Sequence, residues 1–242
     1  MIVLNNDKNG ENIAMLFFII YTLIMTCLFC YFRSQKNYKV SVITKTLASM
    51  GFVSFAIFIP AIKNSFTLTN SLLIFGTVWG LIGDIILDFY RSLNNKHYLA
   101  IGFVSFAIGH LAYISTIVCF AKDIRASLNF SNIMYALFLA IIITSITMLI
   151  CKIMKFDFKN FFVTSTLYAF ILFFTTILSW IVVFKNISYL CLGIGFTLFI
   201  ISDCILSAIY FGGKKESNLY QILNHLTYYS AQILICCAIF SI

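Results

Sequence analysis

The chain has 242 residues, of which 62% are hydrophobic and 10% charged. A soluble domain is about half apolar and about a quarter charged, so this composition excludes a separate soluble domain. The net charge of +8 sits in short segments between apolar runs, with no free-standing basic face, and so points to lipid headgroups and not to nucleic acid.

A bilayer core calls for about 20 mainly apolar residues per helix. In chain order, eight segments qualify: residues 13–32, 40–61, 70–90, 98–119, 132–151, 161–184, 188–211 and 219–241. The first has no small-residue cleavage site behind a short apolar stretch and reads as a retained helix, not a signal peptide. The connections are short and carry the turn residues and most of the charge. Unpaired backbone cannot face lipid, so the prediction is all-α: a polytopic membrane helical bundle, with residues 1–242 as a single transmembrane domain.

Basic residues orient the bundle. The odd-numbered connections hold Arg33, Lys36, Lys39, Arg91, Lys96, Lys152, Lys155, Lys159, Lys214 and Lys215; the opposite side holds Lys8, Lys63, Lys122, Arg125 and Lys185. The positive-inside rule then puts both termini outside and the odd connections in the cytoplasm of a multi-pass protein. The eight cysteines lie in or at the ends of apolar runs. Cys27-Leu-Phe-Cys30 has no second pair, and the cysteines read as small hydrophobes without metal or structural disulfide.

An internal repeat is visible. The third segment reads Gly83-Asp84-Ile85-Ile86-Leu87 and then Tyr90; the seventh reads Ser202-Asp203-Cys204-Ile205-Leu206 and then Tyr210. The next segments carry His110-Leu111-Ala112-Tyr113 and His225-Leu226-Thr227-Tyr228. The pattern suggests two parallel four-helix repeats, a style known in membrane folds.

Three acidic residues, Asp84, Asp88 and Asp203, fall within predicted spans. A charge at helix centre costs about 2.5–3.5 kcal/mol even on the gentle insertion scale, and such residues by default mark function. Asp84 and Asp203 lie at matching depths, roughly 10–12 Å inside the cytoplasmic edge at 1.5 Å per residue. Asp84 and Asp88 share a face at i, i+4, with Gly80 a turn earlier. Other polar groups fall on single stripes: Ser41, Lys45 and Ser49; His110 and Tyr113; Thr164 and Tyr168; Gln221, His225, Tyr228, Tyr229 and Gln232. The simplest arrangement is one polar cavity opening toward the inner leaflet. Asp84 and Asp203 are its candidate catalytic pair. Lys45, Asp88, His110, Tyr113, Tyr168, His225, Tyr229 and Gln232 are candidate substrate-binding or supporting residues. The plainer alternatives are interfacial pairing for Lys45 and Asp88, interhelical hydrogen bonding for the histidines, and packing for the tyrosines.

Two carboxyls in one low-dielectric site do not both ionise readily, which leaves an acid beside a base or electrostatic stabiliser. A glycosidase-like acid–base pair and a transporter's proton relay both use that feature. Asp, Asp and His could also ligate a metal, but no metal-binding spacing is present. There is no Gly-rich phosphate loop and no nucleophile elbow. A purely structural membrane protein would leave the buried aspartates without a purpose.

Gly83-Asp84, the run Gly102, Phe106, Gly109-His110 and Tyr113, the run Gly193, Phe196 and Ser202-Asp203, and the closing Tyr228-Tyr229-Ser230-Ala231-Gln232 resemble the YhhN family, which includes the lysoplasmalogenases. The resemblance covers roughly residues 40–240. One departure is that Lys45 is followed by Thr46, where the family often has Lys-Pro. The resemblance implies hydrolysis of the vinyl ether bond of a lysophospholipid substrate, without a cofactor. The products are a fatty aldehyde and glycerophosphoethanolamine or glycerophosphocholine. It further implies a chain bound among Phe-rich helices and a phosphate directed to Lys45 or Arg91 at the rim. A proton-coupled lipid or small-molecule transporter is the alternative.

Overall fold

A computed structural model describes residues 2–93, 96–123, 128–213 and 217–241. Eight α-helices follow one another: α1 (Ile2–Ser34), α2 (Tyr38–Ile62), α3 (Leu68–Leu93), α4 (Lys96–Asp123), α5 (Phe130–Ile153), α6 (Phe162–Lys185), α7 (Leu190–Tyr210) and α8 (Asn218–Cys237). All eight predicted segments are helical, and no strand occurs among the described residues. Where the chain turns, local chemistry ends each helix. Lys36, Asn64 and Lys155 take the left-handed conformation after α1, α2 and α5. The following amides return to carbonyls inside the helix: Asn37 N–H to Phe32, Ser65 N–H to Pro60 and Phe156 N–H to Cys151. These bonds satisfy carbonyls that the helix end would otherwise orphan. Asn37 and Ser217 accept backbone N–H bonds to start α2 and α8.

Two expectations are revised. The first helix starts at Ile2, well before the apolar run at residue 13, and Glu11 on this extension pairs with Lys63 at the end of α2, 3.7 Å away. Among the described residues seven helices, α1 to α7, are long and apolar enough to cross a membrane; α8 is not one of them. Its polar residues Gln221, Asn224, His225, Tyr228, Tyr229 and Gln232 are buried. This helix turns its polar face onto α1, α2 and α7 and leaves Ile222, Leu223 and Leu226 exposed on the other side. A helix whose polar side faces its neighbours does not need an apolar surface all round.

The two halves pack alike. In each, consecutive helices are neighbours, and the fourth helix of each half packs on the second helix of the other: α4 on α6, and α8 on α2. Tyr90 and Tyr210, matched in the repeat, meet edge to face at 5.6 Å. The core between the halves is aromatic, with Phe52, Phe55, Phe196 and Phe199 fully buried. The outer helices α1 and α5 open each half and turn many large apolar side chains outward.

The most extensive helix–helix packing is that of α3 on α4. At Gly109 a Cβ would sit 3.1 Å from the Gly76 carbonyl oxygen, so a small residue is needed for the two backbones to approach. Replacing Gly109 by Val is expected to destabilise the fold by about 1–3 kcal/mol through overpacking. Thermal unfolding of the purified protein in detergent checks this.

Candidate functional site

On α3, residues four apart face the same neighbour, and Asp84 and Asp88 both turn toward α2. Both are buried, and the Lys45 Nζ of α2 lies between them, 3.4 Å from Asp84 Oδ1 and 3.6 Å from Asp88 Oδ1. It also donates to the Asp84 backbone carbonyl at 3.2 Å. Arg33, at the end of α1, is buried too; its Nη1 lies 3.8 Å from Asp88 Oδ1 and 3.4 Å from Ser41 Oγ. Two cations thus face two carboxylates across three helices. A buried carboxylate is tolerated only when paired and hydrogen-bonded, and Asp84 is both. Its Oδ2 accepts from Ser49 Oγ at 2.6 Å and from Tyr228 O–H at 2.8 Å.

Behind that carboxylate runs a chain of buried groups. Tyr113 O–H donates to Gln232 Oε1 at 2.9 Å, and Gln232 Nε2 donates to the Tyr228 oxygen at 3.2 Å. A Cβ on Gly80 would come within 2.9 Å of Gln232 Nε2, so glycine makes room for the amide. Tyr229 O–H donates to the Lys45 carbonyl at 3.2 Å and also lies 3.1 Å from Ser49 Oγ. Both hydroxyls of the predicted stripe on α8, Tyr228 and Tyr229, therefore serve Asp84 or its partners.

Asp203 on α7 is kept differently. Tyr168 O–H on α6 donates to its Oδ2 at 2.5 Å. Among the described residues no cation lies within ion-pairing distance, and Oδ1 has no hydrogen-bond partner. The repeat shows here as well: Ser49 precedes Asp84, and Tyr168 precedes Asp203, by 35 residues in each case. The same spacing holds one aspartate among cations and the other in an apolar wall.

Both aspartates line one cavity of about 450 Å³, together with Lys45, Tyr168 and His225. Its remaining wall is mainly aromatic and aliphatic, including Phe103, Phe106, Leu172 and Phe211. Asp88, His110, Tyr113, Tyr229 and Gln232 stand behind this wall and do not line it. The cavity is therefore less polar than the stripes imply, because most stripe residues bond to one another. His110 is buried edge-on against Phe199 at 4.7 Å and lies among Tyr113, Tyr168 and Phe196. Neither ring nitrogen has a hydrogen-bond partner among the described residues. His225 packs edge-on against Phe29 at 4.5 Å.

Lys45 does not stand free at the rim for a phosphate, because two carboxylates hold it in place. The Arg91 side chain lies outside the described residues. Arg33, read in the sequence as a topology charge, is instead part of the buried network. Ser49 and Tyr228, the hydroxyls that touch Asp84, lay on the predicted stripes but were not singled out from them. The signal that could have found them is their phase: Ser41, Lys45 and Ser49 on α2, and Asn224, Tyr228 and Gln232 on α8, recur every four residues on one face. Among the described residues, no three His, Cys, Asp or Glu side chains form a metal-sized group.

The YhhN family profile matches residues 40–239. The chain belongs to the YhhN family. No curated protein and no solved structure matches it. The matched span contains Lys45, both aspartates and all of α8 up to Cys237. Arg33 comes from α1, before that span, so this YhhN member closes its charge network with a helix that the family match does not include.

Replacing Lys45 by Met would leave two buried carboxylates with one cation. It is expected to destabilise the fold by about 3–5 kcal/mol, the range for breaking a buried ion pair. Adding Asp88→Asn should recover part of that loss. Melting temperatures of the single and double variants in the same detergent check both statements.

Proposed function

We propose that this YhhN member is a membrane hydrolase that cleaves the vinyl ether bond of a lysoplasmalogen. The products are a fatty aldehyde and glycerophosphoethanolamine or glycerophosphocholine. The observation that carries the reading is that two carboxyl groups with unlike partners share one apolar cavity. Asp84, paired with Lys45 and given two hydroxyl donors, is kept as the anion. Asp203, which among the described residues has one oxygen free of partners and no cation beside it, is suited to hold and release a proton.

The reaction needs both states. A proton passes from Asp203 to the β-carbon of the vinyl ether, and an oxocarbenium ion forms at the α-carbon. The charge of Asp84 stabilises that cation across the cavity. Water then adds at the α-carbon, and the proton it loses goes to a carboxylate. The hemiacetal that results collapses: the bond to the glycerol oxygen breaks, that oxygen takes a proton, and the aldehyde is released. One water is consumed, and both carboxyls end as they began. Tyr168, bonded to Asp203, and Tyr228, bonded to Asp84, act as positioning residues.

The charge bias of the connections supports placing the cavity in the cytoplasmic half of the bilayer, with both termini outside. A transporter typically binds its cargo at broken helices near the midplane. Here α3 and α7 run unbroken through the aspartates, which favours the enzyme reading over the transporter.

Asp84→Asn and Asp203→Asn are each expected to lower turnover by about 10²–10⁴-fold, the usual weight of one acid–base group. The assay is aldehyde release from lysoplasmenylethanolamine by the purified protein. Near-normal rates in both variants would sink the reading. Tyr168→Phe keeps the ring and removes the donor to Asp203, so a smaller loss is expected in the same assay.

A further inference from the structure

The two halves differ at one place that neither the repeat nor the aspartates explain. In the first half, the outer helix α1 closes against the bundle at its C-terminal end. Phe29 and Arg33 are buried there, Arg33 reaches Asp88, and α1 packs on α8 as well as on α2. In the second half the helix α5 itself does not close in this way; only the turn after it reaches the end of α7, where Asp157 N–H donates to the Phe211 carbonyl at 2.8 Å and Phe158 packs on Phe211. α5 packs extensively on α6 alone, and none of its described residues is buried beyond Thr144. α7 has no buried residue from Asp203 to its end at Tyr210. The residue one turn past Asp84 is Asp88, which takes the Arg33 bridge; the residue one turn past Asp203 is Ser207, which lines the cavity. Lys152 stands as far before Asp203 as Arg33 stands before Asp84, and it is exposed.

Both α5 and α7 are odd-numbered, so they run the same way, and their loose C-terminal halves lie at the same level of the membrane. The side chains between them are Ile150, Cys151 and Met154 on one side and Cys204, Ser207 and Ala208 on the other, and all six line the cavity that holds both aspartates. Ile150, Met154 and Cys204 are also exposed on the outer surface, so the lining continues onto the face that meets lipid.

We propose that the gap between the C-terminal halves of α5 and α7 is a lateral portal. Through it the aliphatic chain of a single-chain ether lipid passes from the bilayer into the cavity and stays partly in the bilayer while bound. This rests on reading the cavity as a lysolipid site. The occupant follows from the lining: the mouth is apolar and faces hydrocarbon, whereas the inner end holds carboxyls and hydroxyls. A molecule apolar at one end and polar at the other suits both. The cavity of about 450 Å³ need then enclose only the polar end and the first part of the chain.

The test uses the full chain in lipid nanodiscs and a saturated alkyl-ether lysophosphoethanolamine with a diazirine at mid-chain, which has no vinyl ether to cleave. After photolysis, adducts are mapped by mass spectrometry. The portal requires adducts on peptides covering residues 147–154 and 204–211, reduced about tenfold by excess unlabelled lysolipid. Cys204→Trp should lower the competed adducts by a similar factor, whereas Cys27→Trp on the exposed face of α1 should not. Ala208→Trp serves as a second block if the first variant does not yield folded protein. Adducts spread over the outer helices without competition would overturn the portal, as would competed labelling that neither block reduces. Competed labelling at α5 and α7 with no aldehyde from a vinyl ether substrate would support the portal while sinking the hydrolase reading.

Discussion

Lys45 reaches into a part of the bundle where two carboxylates are buried, and the rest of the site is arranged around that contact. Charges in such surroundings are stable only when each faces an opposite charge and its remaining valences meet hydrogen-bond donors. Asp84 and Asp88 share Lys45, Asp88 also takes Arg33, and Asp84 fills its second oxygen with Ser49 and Tyr228. Each of these groups comes from a different helix or a different turn. α1, α2, α3 and α8 therefore cannot shift relative to one another without uncovering a charge. The polar face of α8 follows from the same need, since its tyrosines and glutamine exist to serve a carboxylate in a place without bulk water.

The second half repeats the scaffold without the charge. A tyrosine stands where the first half has a serine, no cation approaches Asp203 among the described residues, and the position one turn after it is serine instead of aspartate. The matched motifs give each half one such aspartate, and their different neighbours make the two unlike. Two carboxyls in one low-dielectric site already resist ionising together, and unlike surroundings fix which of them keeps the proton. The same difference loosens the outer helix. With no bridge to draw α5 inward, the cavity stays open to the side.

Much of this was legible in the chain. Composition and run length gave eight helices because apolarity and the 3.6-residue period are properties of a single segment. Asp84 and Asp203 stood out because charge inside an apolar run is costly wherever it occurs. The i, i+4 relation of Asp84 and Asp88, and the stripes on α2 and α8, followed from helix geometry alone. Arg33 was not legible, because at the end of an apolar helix a buried arginine and a headgroup-facing one look the same. Nor was the tie of Lys45 to both carboxylates, since a phosphate site and an ion pair require the same residue.

The sequence by itself therefore determined the class of the fold, the presence of two aspartates inside apolar helices and their place in matched motifs, all of which depend on order along one strand of chain. Only the tertiary structure decided which hydroxyl serves which carboxylate, that one aspartate is paired and the other is not, and that α5 leaves a gap beside α7. Those are contacts between helices far apart in sequence. Their partners are chosen by how the helices are rotated and spaced when they pack, and no periodicity within a single helix records that choice.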